Sequence, residues 1–234
     1  LLAFGTWFFY TQFKSPVTSA DPIARILPGA NRAVLSLDDG RVIELNNGQD
    51  GIIVGDSLWY QDGTPLGGVS GRQGIYTLRT PYGGQYQIVL SDGTKVWLNA
   101  ASSLTYPANF ETGKERHVIL KGEAYFEVTA DSQRPFRVQT NGQTVEVLGT
   151  HFLVNSYEDE PGMRTTLIEG LVRVRRDSPG NLRERSHEVL LKPGQESLLT
   201  EQGFIVKEVD VQASIDWIQG EFVFDNESVE QIMR

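Results

Sequence analysis

The acidic side chains in the middle of the chain are the first candidates for chemistry, because paired carboxylates can hydrolyse glycosides. Glu123 and Glu127 stand four residues apart in the segment KGEAYFEV. In an extended strand both would project from one face, with about 13 Å between their attachment points. The carboxyl groups of glycosidases lie about 5–10 Å apart. The spacing therefore favours two solvated or ion-paired positions over a catalytic pair.

Metal ligands and nucleophiles show no recognisable spacing. The chain has no cysteine, and neither HxH nor helical i, i+4 spacing relates the three histidines, His117, His151 and His187. An acidic run, Glu158–Glu160, lacks the ligand pattern of a calcium-binding loop. We therefore expect an exposed acidic turn, no cofactor, no metal and no enzymatic activity.

The element pattern is that of consecutive β-hairpins. Between Thr80 and Val174, short β-branched and aromatic runs alternate with Asp-Gly, Asn-Gly and Gly-Thr. Turn signals about every 8–12 residues predict a mainly β, jelly-roll-like two-sheet β-sandwich, with a short β-solenoid as the alternative. The strands expected in the second half lie near Val118–Leu120, Ala124–Val128, Phe136–Thr140, Thr144–Leu148, Phe152–Tyr157, Arg164–Ile168, Leu171–Arg175, Glu188–Leu191, Glu196–Leu199 and Phe204–Val209.

One hairpin occurs twice in the first half. The segments VLSLDDGRVIELN (34–46) and IVLSDGTKVWLN (88–99) share a leucine, an Asp-Gly turn and a closing Leu-Asn. Between them, QDGTPLGGVSGRQG (61–74) offers little to bury, so we expect a mobile surface loop there.

The net charge and the two ends of the chain limit which partners are possible. The 234 residues carry a formal charge of −9 without a basic cluster, which argues against nucleic acid. The first 13 residues are uncharged and would span about 20 Å as a helix, against a bilayer core of about 30 Å. We interpret them as the C-terminal end of a transmembrane helix, with a buried strand or a signal-peptide core as the alternative.

The last residues change in character. Glu221–Phe224 is typical of a strand, and Asn226 can cap a helix that follows it. We interpret this as the beginning of a C-terminal α/β domain that is cut off. The expected layout is a membrane-span end at 1–14, a tether and entry strand at 15–30, the β domain at 31–210, and the junction with the C-terminal domain at 211–234.

The sequence resembles the FecR-like anti-sigma factors of Gram-negative envelopes over about Asp21 to Arg234. The segments that carry this resemblance occur in order: DPIARILPGANRAVLSLDDGRVIEL, TPYGGQYQIVLSDGTKVWLNAASSLTYP, GEAYFEVTADSQRPFRVQT, VEVLGTHFLVNSYEDE, TTLIEGLVRV, LLKPGQE and WIQGEFVFDNESVEQIMR.

This resemblance implies a signalling role. Such proteins are single-span regulators of the inner membrane. Their cytoplasmic part binds an extracytoplasmic-function sigma factor, and their periplasmic part receives a signal from an outer-membrane TonB-dependent transducer. The chain would be the periplasmic part with the end of the span, and it lacks the sigma-binding region.

A carbohydrate-binding jelly-roll module is the alternative function. It would need aromatic side chains aligned on one open face, and Trp59 and Trp97 are the candidates. Core or inter-domain packing is the simpler interpretation of both, and of Trp217.

The family resemblance also singles out Gly149-Thr150 as a self-cleavage site. Some relatives cleave themselves at a Gly-Thr bond in this context. The Thr hydroxyl would attack the preceding carbonyl and convert the amide to an ester, which water then hydrolyses. The alternative is a β-bulge in which the glycine relieves crowding and Thr150 is an ordinary strand residue.

Overall fold

The computed structural model describes residues 30–70, 73–110, 113–177 and 188–219. The predicted membrane-span end and the tether up to residue 29 lie outside these ranges, as do His187 and the predicted strand and helix after residue 220. Within the described ranges no helix combines the length and the apolar character needed to cross a bilayer.

The described residues form strands and two short helical segments. The strands are β1 Ala30–Asn31, β2 Val34–Ser36, β3 Val42–Glu44, β4 Gly51–Val54, β5 Ser57–Tyr60, β6 Pro65–Ser70, β7 Ile75–Arg79, β8 Gly84–Val89, β9 Lys95–Leu98, β10 Ser103–Pro107, β11 Arg116–Glu127, β12 Phe136–Gln139, β13 Gln143–Val147, β14 His151–Ser156, β15 Met163–Glu169, β16 Val172–Arg176, β17 Glu188–Leu191, β18 Gln195–Thr200 and β19 Gly203–Glu208. Helix α1 (Val211–Ile215) leads directly into a 3₁₀ helix, Asp216–Gln219.

The strands form two sheets that share β11. The first sheet has the order β3–β2–β7–β10–β11–β12–β13–β16–β17. The second has the order β6–β5–β4–β8–β9–β11–β14–β15–β18–β19. Most pairs are antiparallel, and the parallel ones are β1–β8, β4–β8 and β11–β12. The mainly β, sandwich-like prediction is confirmed.

Alternate side chains from both sheets meet in one hydrophobic core. Leu35 and Leu78 come from the first sheet, Ile52 and Ile88 from the second, and all four are fully buried. Between the sheets, the rings of Phe126 and Phe136 approach with centroids 6.2 Å apart. Such period-two burial is what hairpin sequences encode, because successive side chains point to opposite faces of a strand.

Strand β11 connects the two sheets. Its first half, up to Lys121, pairs with β10 and β12, and its second half, from Gly122, pairs with β9 and β14. Gly122 bends the strand with a φ of 83°. The sequence predicted two separate strands here, because a glycine between apolar runs is normally a sign of a turn. In this fold it is a bend within one strand.

The repeated hairpin is confirmed, and the fold contains a third copy of its turn. In the turns at 37–41 and 90–94 the leucine carbonyl accepts the glycine N–H, at 3.1 and 2.9 Å, and the leucine N–H donates to the carbonyl of the fifth residue. Tyr60 to Thr64 forms the same bonds at 2.9 and 2.8 Å. An Asp-Gly pair lies in all three turns. The glycine has a φ of 85°, 84° or 87°, a left-handed conformation that glycine adopts without steric cost.

The predicted mobile loop at 61–74 is wrong for most of its length. Pro65–Ser70 is strand β6, which pairs with β5 at the edge of the second sheet. The turn before it is fixed by Asp62, whose Oδ1 accepts the N–H of Thr64 at 2.8 Å. Leu66 then lies inside, 8% exposed. Glycine content predicted a loop, but main-chain pairing and one buried leucine were enough to form an edge strand.

Candidate functional site

Glu123 and Glu127 lie on the outer face of the second sheet and make different contacts. Glu127 makes an ion pair with Lys95 at 3.3 Å, which confirms the ion-paired interpretation for this residue. Glu123 differs from the expectation of a solvated or ion-paired side chain, because it is largely buried and its partner is an amide. The Nδ2 of Asn99 donates to Glu123 at 2.5 Å. Burial is the main reason that the pKa of Glu123 is raised, the Asn99 hydrogen bond opposes the shift, and nearby Glu160 adds to it.

Replacing Glu123 with Gln is expected to raise the free energy of unfolding at pH 7. A carboxyl group whose pKa is higher in the folded state binds its proton more tightly there than in the unfolded chain. Its contribution to the free energy of unfolding is therefore fully present below the ordinary pKa of 4.5, and it is lost as the pH rises from 4.5 through the raised pKa of the folded state. The advantage of Glu123→Gln should therefore disappear below that window. Urea unfolding of the wild-type protein and the variant from pH 4 to pH 7 measures this difference. Each free energy of unfolding, extrapolated to zero urea, carries an uncertainty of about 15%.

Glu127→Gln is the matched control, because it removes a carboxylate from the same face of the same strand. It breaks an exposed ion pair, so we expect a loss of about 0–1 kcal/mol at pH 7. If both variants lost stability at neutral pH, the burial of Glu123 would not be what governs its charge.

Among the described residues, His117, His151 and the acidic run make separate contacts. His117 Nε2 lies 3.0 Å from the Oε1 of Gln139, and His151 pairs with Glu169 at 3.4 Å. Among the described residues no group of three potential metal ligands forms a site. The acidic run, Glu158–Glu160, lies in the turn between β14 and β15, where two of its residues are exposed and Glu160 pairs with Arg164.

Gly149 and Thr150 lie in the connection between β13 and β14, against two other turns. A Cβ on Gly149 would lie 2.6 Å from the Cα of Ala130, so only glycine fits there. Thr150 is 4% exposed, and its hydroxyl donates to the carbonyl of Leu171 at 3.1 Å. A register shift between β14 and β15 begins at the next residue, His151. The bond thus lies in a crowded position next to a bulge, as the β-bulge interpretation expects. Self-cleavage stays a prediction.

Intact-mass measurement on the purified chain tests the cleavage prediction. Cleavage would give fragments of residues 1–149 and 150–234, and Thr150→Ala would remain full length. Thr150→Ser keeps a hydroxyl and should still be cleaved, which separates the chemistry from packing. A single full-length species after long incubation of the wild-type protein would exclude cleavage.

The outer faces of the two sheets differ in chemistry. Cross-strand neighbours on the first sheet are mainly polar, as in the row Ser36–Thr77–Thr105. On the second sheet, Trp97, Tyr125 and Leu153 are direct neighbours on β9, β11 and β14. We call these three residues, with Val89, Ile53 and Trp59 on β8, β4 and β5, the apolar face.

Part of the apolar face is already covered. Tyr125 and Leu153 are each 6% exposed although they lie outside the main core. Helix α1 packs against β15, and in the following 3₁₀ helix Trp217 and Ile218 line one cavity together with Gln87 and Trp97. The segment from α1 to the 3₁₀ helix therefore crosses the face from β15 towards β8.

Sequence reasoning missed this face, although a signal was present. In β11 the consecutive residues Ala124–Phe126 are all buried, and so are Phe152–Val154 in β14. An amphipathic strand alternates, whereas three consecutive apolar residues are typical of a strand that is covered on both sides.

The three tryptophans that the structure describes, Trp59, Trp97 and Trp217, do not form the open aromatic platform that a carbohydrate module needs. Trp59 is 44% exposed on the apolar face. Trp97 is half-buried and packs against Tyr125 with ring centroids 5.4 Å apart. Trp217 is also half-buried, at the edge of the same face. The packing interpretation is confirmed for Trp97 and Trp217, whereas Trp59 is more exposed than expected.

The edge strand β19 is the second notable surface. It pairs with β18 on one side, and Ile205 and Val206 are 56% and 42% exposed. The other edge strands are shorter or contain proline: β3 has three residues, β17 has four, and β6 begins with Pro65. Short strands and proline protect an edge from pairing with other chains. β19 has six residues and no proline, so it is the least protected edge in the described part of the chain.

Comparisons with known proteins identify this class of β-sandwich. The profile of the FecR protein family matches residues 76–173. Two crystal structures of a candidate anti-sigma factor from Parabacteroides distasonis ATCC 8503, at 2.50 and 1.65 Å resolution, share 31% sequence identity with the chain at a TM-score of 0.58. The alignments cover 68% and 67% of this chain, and 71% and 70% of those chains. The comparison with curated proteins gives no match.

The chain therefore belongs to the FecR family of anti-sigma factors. Members of this family are membrane-associated regulators, and an anti-sigma factor acts by binding a sigma factor.

Proposed function

We propose that the chain is the periplasmic, signal-receiving region of a single-span inner-membrane anti-sigma factor in a Gram-negative bacterium. Residues 1–14 would be the end of the span, 15–30 the tether and entry strand, 31–210 the receiver, and 211–234 the junction with a C-terminal α/β domain and its beginning. The partner outside the membrane is the signalling domain of an outer-membrane TonB-dependent transducer. The signal passes to an extracytoplasmic-function sigma factor, which a cytoplasmic region of the same protein would bind. Family membership and the unprotected edge of β19 support this proposal.

Strand pairing at β19 is the binding mode that we propose for the transducer domain. An added strand would bond to the main-chain groups on the side of β19 that has no partner strand among the described residues, and pockets for its side chains would lie on the two sides of the strand. Ile205 and Val206 point to opposite faces of the sheet, so an added strand could cover both residues.

The test is calorimetry between the cognate transducer's signalling domain and the complete periplasmic region. Ile205→Lys should weaken binding about tenfold or more, or at least about 1.4 kcal/mol, because a lysine replaces an apolar contact at the new strand pair. Ile75→Lys is the matched control, since Ile75 is 54% exposed on β7 of the other sheet. Absence of binding by the unmodified region would overturn the receiver function. Equal affinity in both variants would overturn only the β19 mode.

A further inference from the structure

A small cavity lies between β1, the outer face of β8 and β9, and the 3₁₀ helix. Its volume is about 200 Å³, which is below the about 300–1,000 Å³ of pockets for drug-sized molecules. The residues that line it include Asn31, Asp50, Gln85, Gln87, Trp97 and Trp217. A ligand of this cavity must therefore be a small molecule.

Strand β8 sets the spacing of the polar side chains in the cavity. Gln85 and Gln87 project from the same face of β8, about 7 Å apart. Asn31 is the direct neighbour of Gln85 on β1, and Trp97 is the direct neighbour of Gln87 on β9. Three amides and one indole thus surround an area about as wide as one sugar ring with its hydroxyl groups.

Hydrogen bonds between described residues orient two of these amides and leave polar groups for a ligand. The Nδ2 of Asn31 donates to the Oδ1 of Asp50 at 3.1 Å, which leaves the Oδ1 of Asn31 as an acceptor. The Oε1 of Gln87 accepts the Nε2 of Gln61 at 2.8 Å, which leaves the Nε2 of Gln87 as a donor. The Nε1–H of Trp217 is buried and has no acceptor among the described residues. Because a buried indole N–H normally has a partner, this group also calls for a ligand with an acceptor.

The lining of the cavity favours an uncharged, hydroxylated molecule. Among the described residues that line it, Asp50 alone is charged, so no cation is present there to bind an anion. Trp97 and Trp217 contribute indole rings, whose negative faces attract the C–H groups of a sugar ring. The hydroxyl groups of a sugar both donate and accept, as the amides and the indole N–H require.

We propose that this cavity binds one neutral sugar ring of hexose size. The ring packs against the indoles of Trp97 and Trp217, and its hydroxyl groups bond to the amides of β1 and β8. This site differs from an open carbohydrate platform, because a cavity holds one ring by its walls and needs no row of aromatic side chains. Since Asn31 belongs to β1 and Trp217 to the 3₁₀ helix, a bound ring links these two segments.

Titration of the full chain with glucose, galactose and mannose tests the proposal, followed by NMR through the four ¹⁵N-labelled indole N–H groups. The signals of Trp97 and Trp217 are expected to shift with at least one hexose and to saturate with a Kd of about 1 mM, because the ligand is small. Trp217→Phe keeps an aromatic ring without the N–H, and Gln85→Leu removes one amide. Each variant should raise the Kd, measured from the Trp97 signal, by about tenfold. Trp59→Phe is the matched control, because Trp59 lies on the same sheet but does not line the cavity, and its Kd should equal that of the wild type.

Three results would overturn the proposal. The first is that none of the three hexoses shifts the Trp97 and Trp217 signals to saturation. The second is an unchanged Kd in both Trp217→Phe and Gln85→Leu, which would place the sugar elsewhere on the chain. The third is saturable binding of N-acetylalanine amide without binding of any hexose, which would identify a peptide group as the ligand. None of these results bears on transducer binding at β19, since β11, β14, β15 and β18 separate β19 from β9.

Discussion

Replacing Arg116 with Met is expected to lower the free energy of unfolding by about 3–5 kcal/mol, the usual cost of removing one partner from a buried ion pair. The side chains of Arg116 and Asp92 are 1% and 6% exposed, and they meet at 2.8 Å. Methionine keeps most of the volume of the arginine side chain. The expected loss therefore comes from Asp92, which would stay buried without its cation.

The arginine also satisfies two turns at once. Its Nη1 donates to the carbonyl of Thr129 at 2.8 Å, and its Nε donates to the carbonyl of Arg134 at 3.0 Å. The guanidinium carbon lies 5.4 Å from the centroid of the Phe136 ring, which is cation–π distance. Arg116 thus links the Asp-Gly turn of the second hairpin to the connection between β11 and β12.

Two further variants isolate the cause. Arg175→Met changes an exposed arginine on the outer face of β16, so we expect a change within about 0.5 kcal/mol. Asp92→Asn combined with Arg116→Met removes both charges, so the double variant should lose less than the sum of the single losses. Urea unfolding monitored by circular dichroism measures all of them. Additive losses would show that Arg116 stabilises through packing and not through its charge.

The burial of Arg116 could have been inferred from the alternation of inward and outward side chains in β11. The alternation in β11 places Val118 and Leu120 inside, and two residues earlier the same face reaches Arg116. An arginine at a strand end is ordinarily solvated, so its type predicted the opposite. The partner, Asp92, is distant in sequence, and no local pattern indicates that the two side chains meet.

Local turn chemistry explains why most of the fold could be predicted. Asp-Gly specifies the same main-chain bonds at 37–41 and 90–94, so the hairpins and their buried leucines follow from few residues. The same logic, applied to Asp62-Gly63, would have predicted strand β6 in place of a loop. The loop prediction was wrong there because the high glycine content of 61–74 is typical of a loop, although the segment begins with the same turn motif.

The candidate surfaces were harder to predict, because they depend on which strands become neighbours. Trp97, Tyr125 and Leu153 lie far apart in sequence and form one row only after β9, β11 and β14 pair. Likewise, Ile205 and Val206 are ordinary strand residues until β19 proves to be an edge. Sequence patterns indicate that a side chain is apolar, whereas pairing decides whether it is covered.

The second sheet carries both the apolar face and the edge strand β19. The segment from α1 to the 3₁₀ helix begins just after β19, because only Val209 and Asp210 separate β19 from α1. An added strand that displaced β19 would therefore displace this segment first.

Gly122→Ala is expected to cost about 2–5 kcal/mol, because it combines an unfavourable φ with overpacking. Gly122 has a φ of 83°, and an added Cβ would meet the Oγ of Ser102 and lie 2.9 Å from its Cα. Ser102 cannot easily move, since it is 3% exposed and its Oγ accepts the N–H of Glu123 at 2.9 Å. The bend that carries β11 from one sheet to the other thus leaves no room for a methyl group.

Gly40→Ala separates the two contributions. Gly40 has nearly the same φ, 85°, but no atom lies within 4 Å of its added Cβ. It should therefore cost only the conformational part, about 1–2 kcal/mol. The difference between the two variants, measured by urea unfolding, is the energy of the contact with Ser102. If both glycines gave the same loss, Gly122 would be needed for its φ alone, and the close packing of β11 on Ser102 would not be what holds the two sheets in register.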